Sequence, residues 1–148
     1  MTDGVDVMGE QAQQIIGSAP YFFVSDVVKA AEYYRDVLGF ADPRVWGDPP
    51  EFCMPRRDGF IVMLSQVRDP SRISPNGKIN GHPETWDAYF WINDAEALFQ
   101  EFKNRGASVV YEPCILELYE MKEFAVRDLD GYVLAFGQDW PKSSRTSD

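Results

Sequence analysis

Glu51–Gln66 reads EFCMPRRDGFIVMLSQ and Glu123–Gln138 reads EFAVRDLDGYVLAFGQ, so Glu, Phe, Asp, Gly and Gln recur in register at an offset of 72 residues. A repeat of this kind marks an internal duplication. Each copy has the chemistry of a β-hairpin: an apolar-rich run, an Asp-Gly turn in which glycine takes backbone angles that other residues resist, and a second apolar run. Upstream, YFFVSD at Tyr21–Asp26 matches YFWIND at Tyr89–Asp94 at an offset of 68. The aromatic and β-branched residues predict a strand. Ser25 and Asp26 then offer N-cap oxygens for a helix running to Leu38, with Val27, Ala30, Ala31, Tyr34 and Leu38 on one face and Gly39 as its stop. The second helix carries Ala95, Leu98, Phe99 and Phe102 before Gly106. A short strand around Arg44–Trp46, broken by Gly47, Pro49 and Pro50, has its counterpart in Ser108–Glu112, closed by Pro113.

Each half is therefore strand, helix and three strands, and the expected fold is α+β: two βαβββ modules related by a pseudo-twofold, with curved mixed sheets around a concave cleft and helices on the outer face. The expected boundaries are an arm at 1–17, a first module at 18–66, a loop at 67–85, a second module at 86–140 and a tail at 141–148, all within one compact domain. The 67–85 segment is rich in Pro, Gly, Asn and Ser, as surface loops are.

Alternation along the strands assigns their faces. Phe60, Val62, Leu64, Tyr132, Leu134 and Phe136, with Phe22, Val24, Phe90 and Ile92, are expected under the helices. The opposite face then holds the smaller residues Ile61, Met63, Ser65, Val133, Ala135 and Gly137, walled by Tyr21, Phe23, Tyr89 and Trp91. With an even number of residues in each hairpin loop, Phe52 pairs with Met63 and Phe124 with Ala135, adding two rings to that face; an odd loop would bring Glu51 and Glu123 there instead.

Composition narrows the function. With 14 Lys and Arg against 24 Asp and Glu, the formal net charge is −10, which argues against nucleic acid because phosphate binding relies on clustered cations. The same balance favours a cationic ligand. No window has the length of apolar sequence that spans a membrane, and the N-terminus lacks the pattern of a secretory signal, so the expectation is a soluble cytoplasmic protein. Cys53 and Cys114 sit in apolar strand contexts without metal-ligand spacing and read as small hydrophobes. There is no GxSxG, GxxxxGK or GxGxxG pattern, and a serine relay would have to use His82, the one histidine.

The paired modules, the SDVVKAAEYYRDVLGF helix opening and the MKEFAVRDLDGYVLAFGQ hairpin resemble the vicinal oxygen chelate superfamily, which groups glyoxalase I, extradiol dioxygenases, fosfomycin resistance proteins and bleomycin resistance proteins. The resemblance covers about Pro20 to Gln138. It implies a metal site in the metal-dependent members, with four His or Glu ligands on the first and last strands of the two halves. Carried over by motif, those positions are Ala19, Met63, Asp87 and Ala135, of which only Asp87 could ligate a metal. No metal, no cofactor and no catalytic residue is therefore expected.

The leading expectation is a protein like the bleomycin resistance proteins: metal-independent binding of a small aromatic or cationic molecule in a cleft completed by a homodimer. The candidate binding residues are Tyr21, Phe23, Trp46, Phe52, Met63, Ser65, Asp87, Tyr89, Trp91, Phe124 and Ala135. Ile15, Ile16 and Trp140 are expected contact points between subunits. Two other functions stay open: a metal-dependent lyase, isomerase or dioxygenase with atypical ligands, and a non-catalytic interaction module.

Overall fold

A computed structural model describes residues 12–142, so 1–11 of the expected arm and 143–148 of the expected tail lie outside the described residues. The element order is β1 (Tyr21–Val24), α1 (Val27–Asp36), β2 (Ala41–Trp46), β3 (Phe52–Arg57), β4 (Phe60–Ile61), β5 (Met63–Gln66), α2 (Asn76–Asn80), β6 (Ala88–Ile92), α3 (Ala95–Asn104), β7 (Ser108–Leu116), β8 (Met121–Arg127) and β9 (Val133–Asp139). Two sheets result, ordered β1-β5-β3-β2, with β4 beside β3, and β6-β9-β8-β7. In each, the first strand runs parallel to the last and the other pairs are antiparallel. The duplicated α+β fold is as the repeats predict. The linker holds more structure than its composition suggests: a 3-10 turn at Pro70–Arg72 and the short helix α2.

The recurring residues earn their recurrence at the helix starts. Asp26 and Asp94 are the N-caps, accepting from Val28 and Lys29 N–H and from Ala97 N–H respectively. The Gln66 side-chain oxygen accepts from Val27 N–H at 2.8 Å, and Gln138 does the same for Ala95 N–H at 2.9 Å. The last strand of each half thus supplies an acceptor to the first turn of its own helix, where backbone donors have no intrahelical partner. Ser25 caps nothing; its hydroxyl and N–H both meet Asp130 at 3.0 Å, tying the two modules together.

Prolines break the ladders only where a ladder can yield. Pro113 sits inside β7, which runs on to Leu116 instead of stopping, because β7 is an edge strand and its register shifts between Tyr111 and Cys114. Pro55 has no N–H to give across to Val62, and the strand opposite is accordingly split into β4 and β5.

Both helix-facing sheet surfaces share one apolar core, in which Phe22, Val24, Tyr34, Leu64, Phe99, Phe102, Phe124, Leu134 and Phe136 are buried together. The modules meet through this side. Phe22 stacks on Tyr132 at 4.2 Å between ring centroids, Phe40 meets Phe90 edge-on at 6.0 Å, and the Arg57 guanidinium forks onto Glu101 at 2.7 and 3.0 Å. Tyr34 Oη donates to Asp128 Oδ2 at 2.7 Å across the same junction. Phe60, expected in the core, is exposed, because it sits at the hairpin tip beside the two-residue Asp58-Gly59 turn.

The two hairpins differ by one residue of register. Asp58 and Gly59 both adopt positive φ, giving a two-residue turn that pairs Arg57 with Phe60 and Phe52 with Ser65. In the second hairpin Asp128 N–H bonds Tyr132 O around a three-residue loop with Gly131 at φ 93°, and Glu123 consequently pairs with Gly137 and Phe124 with Phe136. One slipped residue exchanges the two faces of a strand. Phe52 therefore faces outward while Phe124, its repeat partner, is fully buried against Phe99, Phe102 and Phe136.

Candidate functional site

The outward faces of the two sheets carry most of the residues that the sequence puts forward as ligand-binding. On the first sheet Tyr21 meets Phe23 edge-on at 5.6 Å and Phe52 at 6.4 Å, and Phe52 meets Trp46 at 5.4 Å. Neighbouring strands build this run: Tyr21 lies beside Met63, Phe23 beside Ser65, and Ser65 opposite Phe52. The structure thus brings Tyr21, Phe23, Trp46, Phe52, Met63 and Ser65 onto one surface. Two guanidiniums that sequence reasoning did not single out join it, Arg72 over the Phe23 ring at 4.7 Å and Arg44 over Trp46 at 5.2 Å. Their spacing from the rings gives no periodic signal, since Arg72 arrives from the linker. Tyr21, Phe23, Arg72, Ser74, Asn76 and Asp87 line a cavity of about 440 Å³ at the junction with the linker.

The second sheet is built differently. Tyr89 and Trp91 are on its outward face as expected, with centroids 5.3 Å apart, and Trp86 lies against Tyr89 at 4.6 Å. Ala135, expected to leave room for a ligand, is fully buried, because Tyr89, Tyr111 and Val110 pack over Ala135, Val133 and Ala125. Phe124, expected on this face, is in the core, for the register reason given above. Glu123 takes its place: the carboxyl is 1% exposed, Oε1 accepts from Tyr89 Oη at 2.9 Å and Oε2 from Tyr111 Oη at 2.5 Å. Trp86 Nε1 donates in turn to the Tyr111 hydroxyl at 2.9 Å. Burial, followed by the hydrogen bond to Glu123, raises the pKa of both phenols, so they act as donors.

Gly137 is what lets Tyr89 reach. A Cβ on Gly137 would lie 1.8 Å from Tyr89 Oη, so no other residue leaves space for the hydroxyl. The odd-loop alternative in the hairpin was the available signal for Glu123. Nothing in strand periodicity pointed to Trp86 or Tyr111.

The four positions where metal-dependent relatives would carry ligands do not fit a metal centre. Ala19 and Ala135 offer no donor, and Met63 only a thioether, a poor ligand for hard cations. Asp87 has both oxygens engaged, Oδ1 by Asn76 N–H at 2.7 Å and Oδ2 by Val133 N–H at 2.8 Å. Its role is to pin α2 to the start of β9. Among the described residues no three His, Cys, Asp or Glu side chains are grouped so as to hold an ion. Cys53 is buried in the core, which pushes its thiol up to about 11, whereas Cys114 is exposed on the edge strand. No described helix is long and apolar enough to cross a membrane.

No curated protein matches the chain. Solved structures do, at identities that speak to the fold alone. TioX from Micromonospora sp. ML1 is 22% identical, with 83% of this chain and 98% of that one covered and a TM-score of 0.61. The bleomycin-binding protein from bleomycin-producing Streptomyces verticillus, complexed with copper(II)-bleomycin, is 20% identical over 84% of this chain and 97% of that one, with a TM-score of 0.58. TnmS3, an antibiotic binding protein from Streptomyces sp. CB03234, is 21% identical over 86% and 99%, with a TM-score of 0.59. The model of the Glyoxalase/Bleomycin resistance protein/Dioxygenase superfamily matches residues 15–136, and with its two modules, shared core and paired outward faces the chain belongs to that superfamily.

Proposed function

We propose that the protein binds a small planar aromatic molecule without a metal ion, in a cleft that a second copy of the chain completes. The observation that carries this reading is the run of rings Tyr21, Phe23, Phe52 and Trp46 along the outward face of the first sheet. Rings in a row on a sheet face give a flat molecule stacking surface with little entropy to lose, since each ring has only two side-chain torsions. Rings that serve the core alone are buried, as Phe22 and Phe124 are. Tyr21 is instead 55% exposed and Trp91, on the other sheet, 78%. Contiguous exposed aromatic patches mark surfaces that meet something.

Dimerisation is supported by the same exposure. Among the described residues the outward rings contact one another only within their own sheet, while the ring contacts between modules lie on the core side. Each outward face can thus serve as half of a cleft, and Ile16, 89% exposed, adds apolar surface for a partner copy to cover. The ligand-binding relatives named above support a small molecule as the occupant.

Titration with bleomycin and a panel of planar compounds, followed by tryptophan fluorescence, is expected to show saturable quenching. Light scattering is expected to give twice the chain mass. Trp46→Ala should weaken binding by about 1–3 kcal/mol, the range for losing a stacked ring at a contact. Silence across the panel, or a stable monomer, would remove the shared-cleft reading.

A further inference from the structure

We propose that the outward face of the second sheet is a site for an organic ammonium ion, with Glu123 as its buried counter-charge. The inference deepens the reading above by naming the charge of the ligand at that sheet, and it rests on that reading. Glu123 is 1% exposed and forms no ion pair among the described residues. Both of its oxygens are satisfied by neutral phenols, Tyr89 and Tyr111. A carboxylate taken out of water without a cation is costly, and a cation bound on the surface above Glu123 would offset that cost.

The rings above it supply the meeting place. Trp86 stands at the centre, 4.6 Å from Tyr89 and 6.5 Å from Tyr119, with the Tyr119 ring turned 83° to it so that the two make a corner; Trp91 extends the wall beyond Tyr89. Trp86, Tyr119 and Trp91 are all exposed. Aromatic corners of this kind hold quaternary and tertiary ammonium groups through the negative faces of the rings. A phenol that donates to a carboxylate becomes richer in electrons, and Tyr89 does so directly. The carboxylate therefore acts on a bound cation twice, through space and through the ring it polarises, without itself being uncovered.

The arrangement is specific to the second sheet. It needs the one-residue register difference that turns Glu123 outward, and it needs Gly137, where a Cβ would collide with the Tyr89 hydroxyl. On the first sheet, where Phe52 occupies the corresponding place, the added charges are Arg44 and Arg72, of the opposite sign. A ligand lying across both faces in a dimer would thus be oriented by charge, its ammonium end at Glu123.

The test uses a pair of probes that differ in charge and not in shape: phenyltrimethylammonium and tert-butylbenzene. The wild-type protein is expected to bind the ammonium compound about tenfold more tightly than its neutral isostere, by calorimetry or tryptophan fluorescence. In Glu123→Gln, which keeps an acceptor for one phenol and removes the charge, the preference should fall to near unity. Tyr119→Ala, a change at the exposed rim, should weaken the ammonium compound several-fold and leave the melting curve in place, so the proposal stays testable should Glu123→Gln fail to fold. Equal binding of the two probes by the wild type, or a preference that survives in Glu123→Gln, would overturn it. Planar-ligand binding that persists with no cation preference sinks this inference alone, whereas silence toward planar ligands sinks the reading beneath it.

Discussion

Phe124→Ala is expected to lower the free energy of unfolding by about 3–5 kcal/mol, the range for deleting a fully buried aromatic side chain. The ring lies in the shared core, 5.3 Å from Phe136, 5.4 Å from Phe99 and 5.8 Å from Phe102, and none of its surface reaches solvent. Its removal would leave a cavity that three other rings, fixed by their own strands and helix, cannot close. Phe52→Ala, at the equivalent repeat position, should cost only about 1 kcal/mol, since that half-exposed ring faces outward with Tyr21 and Trp46. The two mutants therefore read out the register difference between the hairpins. Urea titrations decide it: equal losses at the two positions would mean that the hairpins share one register and that Glu123 is not on the outward face.

That pair of positions also shows where the sequence stops being legible. Residues that repeat at a constant offset fixed the strands, the helices and, Phe60 apart, the helix-facing sides of the first and last strands, because alternation and capping are local rules that tertiary packing had no reason to override there. Gln66 and Gln138 repeat because each completes the start of a helix. The hairpin loops are where the repeat misleads. Both copies contain Asp-Gly, yet one turn is closed in two residues and the other in three, because Asp128 folds back to accept the N–H groups of Asp130 and Tyr132. No pattern in the strands reports that choice, and it alone exchanges Phe124 for Glu123. Trp86 and Tyr111 were missed for a second reason. One lies at the end of the linker and the other on a strand with two register shifts, so neither has a face that alternation can assign.

The same Asp128 gives the largest expected dependence on pH. Its carboxyl is 6% exposed at the junction of the modules, with Oδ1 taking the N–H groups of Asp130 and Tyr132 and Oδ2 the hydroxyl of Tyr34 from α1. Burial pushes its pKa up to about 7; the Tyr34 and Tyr132 hydrogen bonds oppose this, and the Asp130 charge adds to it. A carboxyl with a folded pKa above its unfolded value holds its proton more tightly in the native state. Its contribution to stability is therefore complete below about pH 4 and is lost as pH rises to about 7, by an amount on the order of 4 kcal/mol. Asp128→Asn removes the titration and keeps the geometry. The amide oxygen can accept both backbone N–H groups, while the NH2 donates to the Tyr34 oxygen, reversing the bond that Tyr34 gives to Oδ2, as protonation of Oδ2 would also do. The two proteins should thus be equally stable near pH 4, and the variant should be the more stable at pH 8 by an amount approaching that loss. Urea midpoints measured across this range would show a difference that opens with pH. Parallel profiles would mean that the carboxyl at this junction is already ionised in the folded protein throughout, with Tyr34 and the two N–H groups carrying its charge unaided.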